Sequence, residues 1–178
     1  VHKENRVQLK LNVEKVYFSV RLSNERKRIA QQVLKGEKIL IMFSGCGPYT
    51  CVIGKNTEAE EIVGVEINPV AHKYAIENVM MNKLSNVKLH KGDVREIVPE
   101  MDEKFDRILM PLPKGAETFL DVALDAAKKG TIIHYYDFLH KDEFDKAKQK
   151  IDKACKRNYE VERIVKCGQY SPRVYRIC

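Results

Sequence analysis

A glycine-rich loop and a later acidic residue carry the chemistry that could bind a small ligand. An apolar run, 39–43, stops at Ser44-Gly45-Cys46-Gly47-Pro48, and a second apolar run, 62–65, ends at Glu66. Gly45 and Gly47 lack a Cβ atom, so a ligand can approach their backbone closely. A carboxylate about twenty residues after such a loop can accept hydrogen bonds from ribose hydroxyls. The two features together predict a nucleoside site.

The spacing of the glycines separates two nucleoside ligands. A dinucleotide site uses G-x-G-x-x-G, but here Thr50 stands at the third glycine position and Pro48 follows the second glycine. S-adenosylmethionine carries a ribose and no phosphate, so it needs only the close approach and the acid, and it fits better. An ordinary strand-to-helix turn without a ligand is the alternative.

Apolar runs that alternate with helical patterns predict an α/β fold. The predicted strands cover 7–13, 16–19, 39–43, 62–67, 87–90, 105–110, 131–136, 159–165 and 171–178, and the predicted helices cover 25–35, 49–55, 69–82, 117–129 and 141–157. This order indicates a doubly wound, mostly parallel, Rossmann-like sheet of seven strands. The last two strands, joined without a helix, predict an antiparallel hairpin at one edge.

Composition excludes several classes of protein. No apolar stretch is long enough to span a membrane, and no signal-peptide pattern opens the chain. The five cysteines are an odd number without a C-x-x-C pair, which argues against a disulfide framework or a zinc site and favours the reducing cytoplasm. A formal net charge of +7 over 178 residues suggests a polyanionic partner, although a Lys-rich solvated surface has the same charge.

Two further features follow predicted strands and therefore belong to the same edge of the sheet. Asp93 either accepts a hydrogen bond from an adenine amino group or caps the next helix. Pro111-Leu112-Pro113 forms a rigid extended turn that lacks two N–H donors, which suits a wall for a flat base.

A basic cluster precedes the glycine loop. It contains Arg21, Arg26, Lys27 and Arg28, directly after the aromatic pair Tyr17 and Phe18. Such clusters bind phosphate backbones. Glu25 lies within the cluster; the alternative interpretation makes it a first-turn acid of a solvated helix.

Several motifs together resemble the archaeal and eukaryotic tRNA (guanine-N1)-methyltransferases, which modify the guanosine 3′ of the anticodon, at position 37. They are Tyr17-Phe18-Ser19-Val20-Arg21, Glu25-Arg26, the loop 42–49, Glu66-Ile67-Asn68-Pro69, Gly92-Asp93-Val94-Arg95, Met110-Pro111-Leu112-Pro113, Ile133-His134-Tyr135-Tyr136 and Tyr170-Ser171-Pro172-Arg173. The resemblance covers nearly the whole chain. It implies a class I methyltransferase fold, S-adenosylmethionine as cofactor and tRNA as partner; we also expect a monomer without a metal ion.

The resemblance assigns roles to the matching residues. Glu25 would be the general base that removes the guanine N1 proton, with Arg21, Pro111 and Pro113 beside it in the catalytic site. The residues expected to hold the cofactor are Phe43, Gly45, Gly47, Pro48, Glu66, Ile67, Asp93, Val94 and Met110. The residues expected to contact the guanosine or the tRNA are Tyr17, Arg21, Arg26, Arg28 and Arg173.

Some positions depart from the family's pattern, and two other hypotheses stay open. Ile41 stands where the family usually has Asp, Pro111 replaces Asn, and Val20 replaces proline. A sister family transfers the aminocarboxypropyl group of the same cofactor during wyosine synthesis, with His at the position of Pro48 and Gly-Tyr at Pro111-Leu112; both positions here favour the methyltransferases. The third hypothesis is a non-catalytic RNA-binding module on the same fold.

The N-terminal segment predicts a domain boundary. Residues 1–18 read as extended structure without glycine or proline, and the chain starts with Val1. We expect 1–18 to be the tail of a truncated β-rich upstream domain and 19–178 to be the methyltransferase catalytic domain.

Overall fold

The computed structural model describes all 178 residues as ten strands and six α-helices. The strands are β1 (His2–Glu4), β2 (Val7–Leu9), β3 (Lys38–Ile41), β4 (Glu61–Glu66), β5 (Val87–Lys91), β6 (Phe105–Met110), β7 (Ala127–Tyr135), β8 (Asp137–His140), β9 (Lys166–Ser171) and β10 (Val174–Ile177). The helices are α1 (Ser23–Ala30), α2 (Pro48–Asn56), α3 (Pro69–Met81), α4 (Val94–Glu100), α5 (Leu120–Ala126) and α6 (Asp145–Ala154). None of these helices has both the length and the apolar character that a membrane span needs.

Five parallel strands form the central sheet in the order β5-β4-β3-β6-β7. Successive residues of β3 point to opposite faces, so Ile39 and Ile41 join one buried cluster while Leu40 joins the other. Side chains of α1 and α2 complete the first cluster, and side chains of α4, α5 and α6 complete the second. Both faces are covered, which explains why these strands are almost entirely apolar. The predicted doubly wound α/β class is confirmed.

Three antiparallel strands near the C-terminus form a sheet separate from the parallel one, which corrects the predicted count of seven strands. β8, β10 and β9 lie side by side in that order, and the parallel sheet has five strands. The final hairpin consists of β9 and β10, whereas 159–165 is irregular despite its alternating sequence. Within that segment Val165 alone exchanges backbone hydrogen bonds with Cys178, at 2.8 and 2.9 Å. At four residues, β8 is too short to give a periodic signal.

The helix predicted over 117–129 is shorter than its sequence pattern. A 3₁₀ turn, Ala116–Phe119, leads into α5, and β7 begins at Ala127 opposite Phe105. The Thr131 hydroxyl holds this junction, because it donates to the Phe105 carbonyl at 2.6 Å and accepts from the Lys128 N–H at 2.9 Å. Strand pairing across the chain therefore overrides the local helical periodicity. The helices predicted over 25–35 and 141–157 are also shorter than predicted at their C-terminal ends, since α1 ends at Ala30 and α6 ends at Ala154.

The N-terminal hairpin packs onto the helical face of the central domain. Val7 and Leu9 of β2 are buried with side chains of α1 and α2. Two amides, of Asn78 in α3 and of Asn82 directly after it, act as a pairing partner for the segment that contains β2. Asn82 accepts from the Gln8 N–H at 2.9 Å, and Asn78 accepts from the Lys10 N–H at 2.7 Å. Both amide groups also donate to the carbonyls of the same residues. The division into two domains after residue 18 stays a prediction.

Candidate functional site

The glycine loop turns the chain from β3 into α2 with its backbone uncovered. Gly45 and Gly47 have φ values of +57° and +82°, a region that side chains disfavour, and Pro48 is the first residue of α2. A Cβ atom built on Gly45 would meet no atom within 4 Å. The loop therefore leaves room for a ligand beside the backbone of Gly45.

Glu66 connects this loop to the end of β4. Its Oε2 accepts from the Gly45 N–H, and its Oε1 accepts from the Asn68 N–H, both at 2.7 Å. A carboxylate has about four lone-pair directions, so two acceptor positions stay available for hydroxyl donors. The adjacent Ile67 is 65% exposed, an unusual position for a large aliphatic side chain. A polar acceptor and an apolar surface thus lie side by side, as the ribose and base of a nucleoside require.

The loop after β5 lies next to Glu66 and confirms one of the two interpretations of Asp93. The Gly92 N–H donates to the Glu66 carbonyl at 3.0 Å. Asp93 caps α4, since its Oδ1 accepts from the Arg95 N–H at 2.8 Å. The contact of Asp93 with an adenine amino group stays a prediction.

Three of the residues predicted to hold the cofactor have buried or half-buried side chains. Met110 is fully buried and Val94 is 4% exposed, both within the core between the sheet and α4–α5. Their side chains therefore fill the core, and only their backbone is left for a ligand. Phe43 is half-buried and meets the edge of Phe119, with ring centroids 5.0 Å apart.

The proline turn follows β6, which is the strand beside β3. The Leu112 N–H donates to the Met110 carbonyl at 2.7 Å, so Pro111 is the central residue of a tight three-residue turn. Pro111 and Pro113 are both half-buried. The Met42 N–H donates to the Leu109 carbonyl at 3.0 Å, which ties the start of the glycine loop to the end of β6. The loops after β3, β4, β5 and β6 therefore share one edge, as the sequence predicts.

Glu25 lies in a buried hydrogen-bonded network at the same edge. Arg28 donates to both of its carboxylate oxygens at 2.7 Å, and the Tyr136 hydroxyl, directly after β7, donates to Oε1 at 2.6 Å. The Tyr49 hydroxyl, in the first turn of α2, donates in turn to Tyr136 at 3.1 Å. Hydrogen bonding to Glu25 raises the pKa of Arg28, and burial raises the pKa of Tyr136, so both donors keep their protons at neutral pH. Sequence reasoning misses this network, because Tyr136 is 111 residues away in the chain.

Arg26 is not available for RNA, contrary to the prediction. Its guanidinium is 1% exposed, donates twice to the Glu4 carboxylate at 2.5 Å and lies over the Phe18 ring. Burial opposes ionisation of Glu4, but hydrogen bonding to Arg26 prevails and lowers the pKa of that carboxyl. The pair attaches α1 to the N-terminal hairpin. Arg28 is likewise engaged with Glu25 and directs its cationic group inward.

The remaining predicted RNA contacts are on the surface. Tyr17 is 74% exposed, and Arg21 and Arg173 are also exposed. Arg173 occupies the turn between β9 and β10 with a φ of +60°. These three residues are free to meet a ligand.

Two side chains in the glycine loop and in the strand before it are buried. Burial raises the pKa of Cys46 to about 11, so this residue of the glycine loop is a neutral thiol rather than a nucleophile. Ile41 is fully buried under α1 and α2, so its side chain cannot reach a ligand at the loop. A cavity of about 1320 Å³ lies elsewhere, between β7, α6 and the segment 156–164. It contains none of the glycine loop, Glu66 or Asp93.

A parallel sheet covered on both faces, a glycine loop after its central strand and an acid ending the next strand define a class I methyltransferase fold. The chain belongs to the family of the TRM5/TYW2 methyltransferase domain, whose profile matches residues 1–164.

Relatives and solved structures agree with this family. The chain is 45% identical to the tRNA (guanine(37)-N(1))-methyltransferase Trm5b of Pyrococcus abyssi over 138 residues, 78% of this chain and 40% of that protein. It is 41% identical to Trm5b of Methanocaldococcus jannaschii over 180 residues, 98% of this chain and 49% of that protein. The chain therefore spans less than half the length of these two relatives. The crystal structure of P. abyssi Trm5b superposes with a TM-score of 0.90 at 39% identity, covering 99% of this chain and 53% of that one.

Proposed function

We propose that this chain is the catalytic domain of a tRNA methyltransferase that transfers the methyl group of S-adenosylmethionine to N1 of guanosine 37. The observation that carries the proposal is the crevice beside Gly45, where the Glu66 carboxylate and the exposed Ile67 meet an uncovered backbone. The identity of 41–45% with two Trm5b proteins supports the choice of nucleoside and of reaction. Cytoplasmic localisation and a monomeric state belong to the same proposal.

The residues of the crevice fit S-adenosylmethionine. Glu66 offers two acceptor positions for ribose hydroxyls, Ile67 offers an apolar face for the adenine, and the open space at Gly45 admits the ligand to the backbone. A related structure, M. jannaschii TYW2, is described as a complex with AdoMet and superposes with a TM-score of 0.83 at 29% identity. When bound, S-adenosylmethionine supplies an electrophilic methyl group.

The protein's own contribution is to orient the guanine and to accept its proton. Guanine N1 is protonated at neutral pH, and a positioned carboxylate can remove that proton. The resemblance gives this role to Glu25, which is 4% exposed and accepts hydrogen bonds from Arg28 and Tyr136. Binding of the guanine edge must therefore release Glu25 from at least one of these donors. The proline turn at Pro111 and Pro113 serves as the wall against which the base is held.

Two other group transfers are represented among the relatives. The aminocarboxypropyltransferase of M. jannaschii that acts on 4-demethylwyosine is 30% identical over 184 residues. The Nanoarchaeum equitans enzyme named for both guanine 37 and 4-demethylwyosine methylation is 36% identical over 232 residues, 99% of this chain. The sequence identity to the two Trm5b proteins and to the N. equitans methyltransferase is higher than that to the aminocarboxypropyltransferase, which favours methyl transfer.

The test is a transfer assay with tRNA transcripts that carry G37 and with S-adenosylmethionine labelled either in the methyl or in the carboxyl group. The proposal expects methyl label on N1 of G37, no carboxyl label, and no product with a G37-to-A transcript. Carboxyl label on the tRNA would establish aminocarboxypropyl transfer instead. Calorimetry with S-adenosylhomocysteine accompanies the assay; tight RNA binding without any binding of this compound would identify a non-catalytic module.

A further inference from the structure

Arg95 connects two loops at the edge of the sheet that carries the glycine loop, and the proposed function gives it no role. It lies two residues after Asp93, in the first turn of α4. Its guanidinium donates to the Thr118 carbonyl and to Asp121 Oδ2, the latter at 2.9 Å. Thr118 belongs to the 3₁₀ turn that follows the proline turn, and Asp121 belongs to the first turn of α5. One side chain therefore ties the loop after β5 to the segment after β6.

The same guanidinium lies on an aromatic pair. Its Cζ atom is 4.9 Å from the centroid of the Phe119 ring, and Phe119 meets Phe43, with ring centroids 5.0 Å apart and an interplanar angle of 71°. A cation over an aromatic face and an edge-to-face ring pair are both attractive arrangements. Arg95, Phe119 and Phe43 thus form a row of three groups in contact, here called the Arg95 stack.

The Arg95 stack ends beside the crevice at the glycine loop. Phe43 is half-buried, directly precedes that loop, and packs with Phe119 on the core between the sheet and α4–α5. In the strand order, Glu66 at the end of β4 lies on one side of the glycine loop, and the turn after β6 lies on the other. A nucleoside with its ribose at Glu66 and its adenine against Ile67 therefore directs the rest of the molecule along the loop, toward Phe43. In S-adenosylmethionine, that part is the sulfonium with the methionine end.

We propose that Arg95 is a positioning residue for S-adenosylmethionine: it holds Phe119 in place, and Phe119 fixes Phe43 as the apolar wall beside the sulfonium end of the cofactor. The inference rests on the function proposed above, which places the cofactor in this crevice. The guanidinium is already occupied by its three partners, so Arg95 acts on the cofactor through Phe43. A wall that is fixed before binding saves the ligand the entropy cost of ordering it, and without Arg95 both rings regain rotamer freedom.

The chain offers a matched control on the same helix, α5. Arg157 donates to the Leu124 carbonyl at 2.6 Å and to Asp125 Oδ1 at 3.3 Å, so it also joins a carbonyl group and an aspartate. Its surroundings differ, because Arg157 lines the cavity between β7, α6 and the segment 156–164, away from Phe43. Exposed pairs of this kind contribute little to stability, so Arg95→Met and Arg157→Met should unfold at similar temperatures.

The test measures the affinity of the full chain for S-adenosylhomocysteine by isothermal titration calorimetry. Methionine keeps most of the apolar stem of arginine and removes its charge and donors. We expect Arg95→Met to raise the Kd about 3- to 30-fold, the range that follows from the loss of one cation–π contact. Arg157→Met should bind within about two-fold of the original chain. In steady-state assays, Arg95→Met should raise the KM for S-adenosylmethionine by a similar factor and leave the KM for tRNA unchanged.

A double-mutant cycle with Phe119 assigns the effect to the Arg95 stack. Phe119→Leu should weaken S-adenosylhomocysteine binding by itself, and Arg95→Met added to it should cause no further loss, because both variants break the same row of contacts. Additive losses, an unchanged Kd for Arg95→Met, or equal losses for Arg95→Met and Arg157→Met would overturn Arg95 as a positioning residue.

Methyl transfer to tRNA is read separately. Binding of S-adenosylhomocysteine that depends on Arg95, without methyl transfer to G37, would leave the role of the Arg95 stack intact and refute the proposed reaction. Methyl transfer with an unchanged Kd for Arg95→Met would do the reverse. A chain that binds no S-adenosylhomocysteine would refute both.

Discussion

Replacing Glu66 by Gln changes a single oxygen at the point where the glycine loop, β4 and the proposed ribose position meet. The carboxylate accepts from the N–H groups of Gly45 and Asn68, at 2.7 Å each. The Gln amide has one acceptor oxygen, so it can satisfy one of these donors while its NH₂ group faces the other. Hydrogen bonds to a charged group contribute about 1.5–3 kcal/mol each. The substitution also removes acceptor positions that the ribose hydroxyls need.

We therefore expect Glu66→Gln to weaken S-adenosylhomocysteine binding by about 10- to 150-fold, which is the loss of one such hydrogen bond. Isothermal titration calorimetry measures the affinity, and thermal unfolding shows whether the loop itself is destabilised. Glu61→Gln is the matched control, because Glu61 lies at the other end of the same strand, β4, and forms an ion pair with Lys88. Unchanged affinity for Glu66→Gln, or an equal loss for Glu61→Gln, would refute the assignment of the ribose site.

Three further predictions concern buried ionisable side chains. Glu25→Gln should leave S-adenosylhomocysteine affinity intact and slow methyl transfer by about 10²- to 10⁴-fold in single-turnover assays, the usual contribution of a general base; an unchanged rate would remove it from that role. Arg26→Met leaves the buried Glu4 with His2 as its remaining side-chain partner, so urea denaturation should show a loss of about 3–5 kcal/mol, which a double variant with Glu4→Leu restores; equal stability of Arg26→Met and the original chain would contradict this. Burial, and next the charge of Arg107, lowers the pKa of His134 to about 3 from the ordinary 6.5, so between these values the unfolded chain binds a proton that the folded chain does not. Stability should therefore fall as the pH drops below 6.5, by about 2 kcal/mol on reaching about pH 5 from this group, and His134→Gln should show a correspondingly smaller fall.

The features that sequence reasoning predicts are those determined by neighbours along the chain. The glycine loop, the acid about twenty residues later and the proline turn each follow an apolar strand, and parallel strands bring their carboxyl ends together. The helices α2 and α3 also begin where the sequence places them, since Pro48 and Pro69 occupy their first turns. The positions of these loops and helix starts follow from the local sequence and from the α/β order of elements alone.

The features that sequence reasoning misplaces depend on partners far away in the chain. Arg26 and Arg28 look alike in a basic cluster, but Glu4 lies 22 residues upstream and turns Arg26 inward. The segment 159–165 alternates like a strand, yet β8 takes the position beside β10.

The buried network around Glu25 gives the proposed reaction a requirement that the sequence does not reveal. Arg28 neutralises the carboxylate and Tyr136 supplies a further donor, so the free protein holds its proposed base shielded from water. The same contacts pre-position the carboxylate at the edge where the guanine must lie. If Glu25 is the base, the proposed reaction requires the guanine to displace Arg28 or Tyr136 from it.

A crystal structure of this chain with saturating S-adenosylhomocysteine tests the position of the crevice most directly. We predict density beside Gly45, with the ribose hydroxyls within hydrogen-bond distance of the Glu66 carboxylate and the adenine against Ile67. Density in the cavity of about 1320 Å³ between β7 and α6, or none at either place, would contradict the account.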